Sequence, residues 1–114
     1  MPIITGTAFE EYVWSNWWLR NFPTSDWSSE QQVPLAGSYK VDFVAYRGNE
    51  RAIGDAKDKA SLTLQDVEKL IEDAGIYKAR WLYLIIAADT RIPYNIQGYA
   101  DGEGVEIIRT RWRA

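Results

Sequence analysis

The most constraining stretch of the chain is Lys40 to Lys59, in which β-branched and aromatic runs flank Gly48-Asn49. Glycine followed by asparagine between such runs is a two-residue turn signal, so a β-hairpin is expected. With that turn, Arg47 faces Glu50, and counting back along both strands places Asp42 directly opposite Asp55. Opposed residues on one face of a sheet have Cβ atoms roughly 4.5 to 5.5 Å apart, and like charges placed so destabilise the pair. Strand alternation puts Asp55 and Lys57 on the same face. The register therefore gathers two carboxylates and an amine, which is what a hard divalent cation and an activated water require. The competing reading leaves Asp42 and Asp55 at strand ends facing solvent, with Lys57 neutralising them, because structural ion pairs also cluster charge. A one-residue bulge would break the register altogether.

The chain contains neither cysteine nor histidine, which removes zinc fingers, Cys-His and Ser-His-Asp catalysis, haem ligation and histidine bases. Any metal must be held by oxygen, favouring Mg2+ or Mn2+. A net charge of −3 argues against a uniformly basic coat for nucleic acid and leaves room for a local basic patch. The longest apolar run, Trp81 to Ala88, is too short to span a bilayer, and no signal peptide is recognisable. Lacking disulfides, the chain is expected to be cytoplasmic, with no membrane partner. Its 114 residues, 46% apolar and 25% charged, match one folded domain over residues 1–114.

A first helix is expected over Thr7 to Leu19, with Phe9, Val13 and Trp17 along one stripe. Thr7 and Glu10 fit a capping box, which alone would explain Glu10. Trp14, Trp17 and Trp18 on this helix suit core packing, with base stacking or a dimer surface as the second reading. A turn-rich connector from Phe22 to Ser29 leads to a strand over Glu30 to Leu35, ended by Ala36-Gly37-Ser38. After the hairpin, a second helix starts near Thr63 with Leu64, Val67, Leu70, Ile71 and Ala74 facing the core and Gly75 as its stop. Asp66, Glu68, Lys69, Glu72 and Asp73 read as its solvated face.

Trp81 to Ala87 reads as a strand buried on both faces. Pro93 opens a short helix through Tyr99-Ala100, and Val105 to Ile108 forms the last strand. If extended, the tail sets Arg109, Arg111 and Arg113 on one side, suited to phosphate contacts; the alternative is a solvated terminus.

This order of elements, with Asp42 and the tripeptide Asp55-Ala56-Lys57, resembles the restriction-endonuclease-like nucleases, a superfamily named for a Pro-Asp, then Asp or Glu, any residue, Lys motif. The similarity covers nearly the whole chain. Gly6, Phe9-Glu10 and Val13 on the first helix, with Trp81 to Ala87 and Ala100 to Ile108 later, are most similar to the Mrr-type and archaeal Holliday-junction-resolvase-like branch. The chain departs from the pattern where Val41 replaces the proline and where residue 55 is the shorter acid. Asp58 and Lys59 offer a second frame, Glu11 competes with Glu10, and Gln65 is followed four residues later by Lys69 where the exonuclease branch has tyrosine.

The resemblance implies an α/β fold with an α-β-β-β-α-β core, a mixed central sheet flanked by helices, and a short C-terminal helix and strand. It implies Mg2+ (or Mn2+) ligated by Asp42 and Asp55 with the Ala56 carbonyl, Glu10 orienting metal or water from the first helix, and Lys57 assisting the attacking water. The implied activity is a Mg2+-dependent endonuclease of restriction, repair or junction-processing type, acting on duplex or branched DNA. A homodimer through the aromatic first helix would let two sites address two strands. The alternative is a catalytically silent module of the same fold that binds nucleic acid or a partner protein, including a subunit whose Trp-rich surface recruits a helicase or recombinase.

Overall fold

Gly48 adopts φ +60, the left-handed conformation that a tight hairpin turn needs and that glycine takes at no steric cost. The turn joins β2 (Lys40–Arg47) to β3 (Glu50–Lys57), and their antiparallel register runs from Arg47↔Glu50 to Phe43↔Gly54. This is the register that the turn residues imply. In the computed structural model, which describes residues 7–35 and 40–113, β1 (Ser28–Pro34) pairs antiparallel with β2. On the far side β4 (Trp81–Ile86) and β5 (Val105–Arg109) add in parallel, giving a five-stranded mixed sheet in the order β1-β2-β3-β4-β5. Parallel neighbours require crossovers, here α3 (Leu64–Tyr77) and α4 (Tyr94–Gly102). The expected turn Ala36-Gly37-Ser38 and the N-terminal Gly6 lie outside the described residues.

One sheet face packs Val44, Ile53, Leu84 and Ile86 against Val67, Leu70 and Ala74 of α3 and Ile96 and Ala100 of α4. The other packs Phe43, Ala45, Ala52 and Ile85 under the N-terminal helix. That helix is longer than expected: α1 (Thr7–Val13) passes through a π-helical turn (Trp14–Trp18) into α2 (Leu19–Asn21). The wider turn brings three tryptophans onto the sheet. Trp14 stacks on Phe43 with centroids 6.0 Å apart, Trp17 meets Tyr83 edge-on at 5.0 Å, and Trp18 is fully buried against Phe43 and Tyr83.

Thr63 caps α3 as expected. Its side chain accepts from the Asp66 N–H, and the Asp66 carboxylate accepts from the Thr63 N–H in return. The stop differs: Gly75 stays helical, and Lys78 takes the left-handed cap with φ 60, its N–H reaching the Ala74 carbonyl. Arg51 holds this last turn, donating to the Tyr77 carbonyl at 3.1 Å with its guanidinium over the Tyr77 ring. The expected solvated face is also corrected. Asp66 and Asp73 are buried, because lysines reach them: Lys59 meets Asp66 at 2.9 Å and Lys69 meets Asp73 at 2.7 Å. Burial alone would raise the Asp66 pKa, but Lys59 and the Thr63 N–H hold it below the usual carboxylate range.

Arg109 and Arg113 form neither a phosphate comb nor a frayed end, while Arg111 between them is exposed. Arg109 donates to the carbonyls of Ala87, Ala88 and Thr90 at 3.3, 2.8 and 2.7 Å. Arg113 pairs with Asp58 and Asp89, and Trp112 packs on Phe9 and Tyr12. Among the described residues, no helix is long and apolar enough to cross a membrane.

Gly54 is required by close approach rather than by a turn, since a Cβ there would stand 2.6 Å from the Trp18 ring. Gly54→Ala is therefore expected to destabilise the fold by about 1 to 3 kcal/mol, the usual cost of overpacking a core. Chemical denaturation monitored by tryptophan fluorescence checks this, and an unchanged midpoint would contradict the packing described.

Candidate active site

Regular pairing stops where the acids are. Val41 and Val44 pack in the same layer while Phe43 lies in the opposite one, so the alternation of β2 is interrupted at Asp42. The β1–β2 ladder pairs Gln31 with Phe43 and Val33 with Val41 and skips the residues between. The skipped Gln32 has φ 53, a left-handed conformation that costs a non-glycine residue about 1 to 2 kcal/mol. Released from the ladder, Asp42 reaches β3. Its N–H donates to Asp55 Oδ1 at 3.1 Å, and the Ala56 N–H donates to Asp42 Oδ2 at 2.8 Å. Each carboxylate thus accepts a backbone N–H from the opposite strand.

Gln32 connects this pair to the first helix. Its side-chain amide donates to Asp42 Oδ1 at 3.1 Å and to Glu10 Oε1 at 2.7 Å, while Gln31 donates to Glu10 Oε2 at 3.4 Å and Glu11 Oε1 at 3.1 Å. Glu10 is therefore the helix acid nearer the pair, and its carboxylate is occupied by glutamines of β1. Among the described residues, no group of three or more His, Cys, Asp or Glu side chains is placed to hold one metal ion. Gln32 bridges Glu10 and Asp42.

Burial and then the Asp55 charge push the Asp42 pKa up to about 7, with Glu10 adding to the effect, while the Ala56 N–H and Lys57 oppose it. Asp55 is 2% exposed, and its Oδ2 is buried without a hydrogen-bond donor. The nearest cation is one that face-counting on α3 assigns to solvent: Lys69 Nζ lies 3.6 Å from Asp55 Oδ2. Lys69 itself donates to Asp73 Oδ2 at 2.7 Å and to the Lys40 carbonyl at 2.9 Å. Burial alone would lower its pKa, but Asp55 and Asp73 outweigh that and raise it. Asp66, Lys69 and Asp73 share one stripe beside the apolar Val67-Leu70-Ala74 stripe, and that adjacency was the signal available in the sequence.

Lys57 closes β3, half-buried, and makes no ion pair among the described residues, although its charge is felt at both Asp42 and Asp66. The second frame is committed elsewhere, Lys59 to Asp66 and Asp58 to Arg113. A cleft of about 350 Å³ runs along α3, lined by Gln65, Asp66, Glu68, Lys69, Glu72 and Asp73. Its four carboxylates to one ammonium make it an acidic cleft, unfavourable to a polyanion.

The donor set at the aspartate pair is oxygen alone, and Asp55 Oδ2 is buried without a donor. These features fit a hard divalent cation.

No protein-family model matches the chain, and no curated protein matches it. Among solved structures it is similar to a repair endonuclease from Pyrococcus abyssi, with TM-score 0.62 and 12% identity over 96% of this chain and 48% of that one. It is also similar to EndoMS in its complex with double-stranded DNA, with TM-score 0.61 and 14% identity over 96% and 46%. The SfsA protein of Pyrococcus furiosus, solved with Ca2+, gives TM-score 0.56 and 13% identity over 91% and 55%. At these identities the likeness shows the fold, and the chain spans about half the length of each of these structures. The architecture is the α/β, restriction-endonuclease-like one: an α-β-β-β-α-β core with a mixed sheet, followed by α4 and β5.

The Asp42 carboxyl has a pKa of about 7 in the folded chain against 3.8 for an ordinary aspartate. The folded state therefore binds this proton more tightly than the unfolded state. That contribution to stability is fully present below about pH 4 and is lost as pH rises through about 7. With chelator present, the urea midpoint is expected to fall between about pH 4 and pH 7, and Asp42→Asn is expected to flatten that slope. An identical slope in the variant would remove Asp42 as its origin.

Proposed function

We propose that the chain is a Mg2+- or Mn2+-dependent DNA endonuclease of the restriction-endonuclease-like superfamily, hydrolysing phosphodiester bonds. The observation that carries this reading is the reciprocal Asp42–Asp55 arrangement, with the buried, donor-free Asp55 Oδ2, at the end of a sheet shared with endonucleases. Phe9-Glu10, Val13 and the Ala100 to Ile108 pattern support placing it beside the Mrr and resolvase-like branch.

In this reading Asp42 and Asp55 hold the cation, and the Ala56 carbonyl is a third oxygen ligand. When bound, the ion would polarise the phosphodiester and lower the pKa of a coordinated water. Glu10, tied to Asp42 through Gln32, orients water from the first helix. Lys57, unpaired among the described residues, brings its ammonium to the negative charge that develops on the attacked phosphate. A bidentate guanidinium there would compete for carboxylate oxygens, so arginine is not an adequate replacement. The EndoMS complex supports duplex DNA as the substrate class, and branched DNA follows from the resemblance to the resolvase-like branch alone. Trp14 and Trp17, half-buried on the first helix, offer the surface for a homodimer.

Nicking of supercoiled plasmid is expected with Mg2+ or Mn2+ and not with EDTA. Asp55→Ala and Lys57→Ala are each expected to reduce the rate at least about 10²-fold, the scale on which charge-stabilising groups act. Metal-independent cutting, or full activity in Asp55→Ala, would refute the assignment. DNA binding without metal and without cleavage would favour the silent module instead.

A further inference from the structure

Lys69 has a bonding pattern unlike that of an ordinary ion-pair partner. Its ammonium makes short contacts to Asp73 Oδ2 at 2.7 Å and the Lys40 carbonyl at 2.9 Å, yet it stands 3.6 Å from Asp55 Oδ2, beyond hydrogen-bond range. Asp55 Oδ2 is buried and receives no hydrogen bond. A buried carboxylate oxygen without a donor is costly unless charge nearby compensates it. Lys69 supplies that charge through space and leaves the oxygen's lone pairs free.

We propose that Lys69 is the internal counter-ion of the cation site, a positioning residue that neutralises Asp55 in the metal-free protein and sets how tightly a divalent cation binds there. The proposal rests on the cation reading given above. Asp73 and the Lys40 carbonyl hold the ammonium independently of Asp55, so Lys69 keeps two partners when Asp55 turns to a metal. Asp73 is 1% exposed, which keeps its charge close to the ammonium and little screened by solvent. The site thus carries a charge that opposes cation entry and offsets aspartate repulsion in its absence.

The test is Mn2+ binding to the full chain at about pH 8, read from the loss of the free-ion electron paramagnetic resonance signal, with thermal denaturation by circular dichroism checking that each variant folds. Lys69→Met is expected to bind Mn2+ about tenfold more tightly, the order expected for removing one unit charge several ångströms from a divalent ion. The same variant is expected to lose stability in EDTA and regain much of it with Mn2+. Unchanged or weaker binding by folded Lys69→Met, with the native chain still binding, overturns the counter-ion role and leaves the cation reading standing. No binding by the native chain, or undiminished binding by Asp55→Asn, removes the cation reading and the proposal with it. If Lys69→Met does not fold, Asp73→Asn is compared with Lys69→Met/Asp73→Asn, which leaves no buried carboxylate unpaired at position 73. Tighter binding by the double variant supports the proposal, and equal or weaker binding overturns it.

Discussion

Two aspartates on neighbouring strands occupy a site that repels them both. Like unit charges about 4 Å apart cost about 4 kcal/mol at an effective dielectric near 20, and burial adds to the penalty for each ion. The chain offsets this with backbone donors, one from each strand. The Asp42 N–H serves Asp55 and the Ala56 N–H serves Asp42. Those donors are available because the ladder stops at Phe43↔Gly54 and the opposite strand holds Gln32 in a left-handed conformation. The backbone irregularity and the acidic pair are therefore one feature, since a regular ladder would take up the N–H groups that make the pair tolerable.

The remainder of the structure fixes that feature in place. A slip of one residue between β2 and β3 would send Asp42 to the other face of the sheet, and the hairpin end opposes such a slip with arginines stacked on aromatic rings. Arg47 lies 4.3 Å over Trp27 and pairs with Asp26 and Glu50, Arg51 lies over Tyr77, and Arg80 lies over Trp81. At the opposite end, Arg109 and Arg113 tie down the segments that follow β3 and β4. Lys57 therefore emerges next to an anchored segment, one residue before an Asp58 already paired with Arg113.

What was legible in the sequence was local or periodic. Gly48-Asn49 carried the turn and its register, Thr63 with Asp66 carried a helix start, and the continuous apolar run from Trp81 carried the central parallel strand. Misread features depended on contacts between distant elements. Gly75 looks like a stop by composition, but Arg51, which approaches from β3, stabilises one further turn. The π-helical turn reflects how three tryptophans must meet Phe43 and Tyr83, which helical periodicity alone does not encode. Arg109 looks like part of a free basic comb until the carbonyls of residues 87, 88 and 90 are brought beside it.

Lys69 shows most clearly why part of the site stayed hidden. On an isolated helix its position beside Asp66 and Asp73 marks a solvated stripe, and an i, i+4 Lys–Asp pair is ordinary surface chemistry. Packing α3 across the sheet turns the edge of that stripe toward the end of β3, where Asp55 has one oxygen left without a donor. In the nuclease reading a chain of net charge −3 meets a polyanion, so no uniform field gathers DNA. In the nuclease reading, the positive charge that meets a phosphate must come from Lys57 and from whatever ion the aspartates hold. Lys69 faces inward and is already shared by Asp73, Asp55 and the Lys40 carbonyl. In that reading one lysine balances the acids while the other is left for the substrate, a division of labour set by which element carries each one.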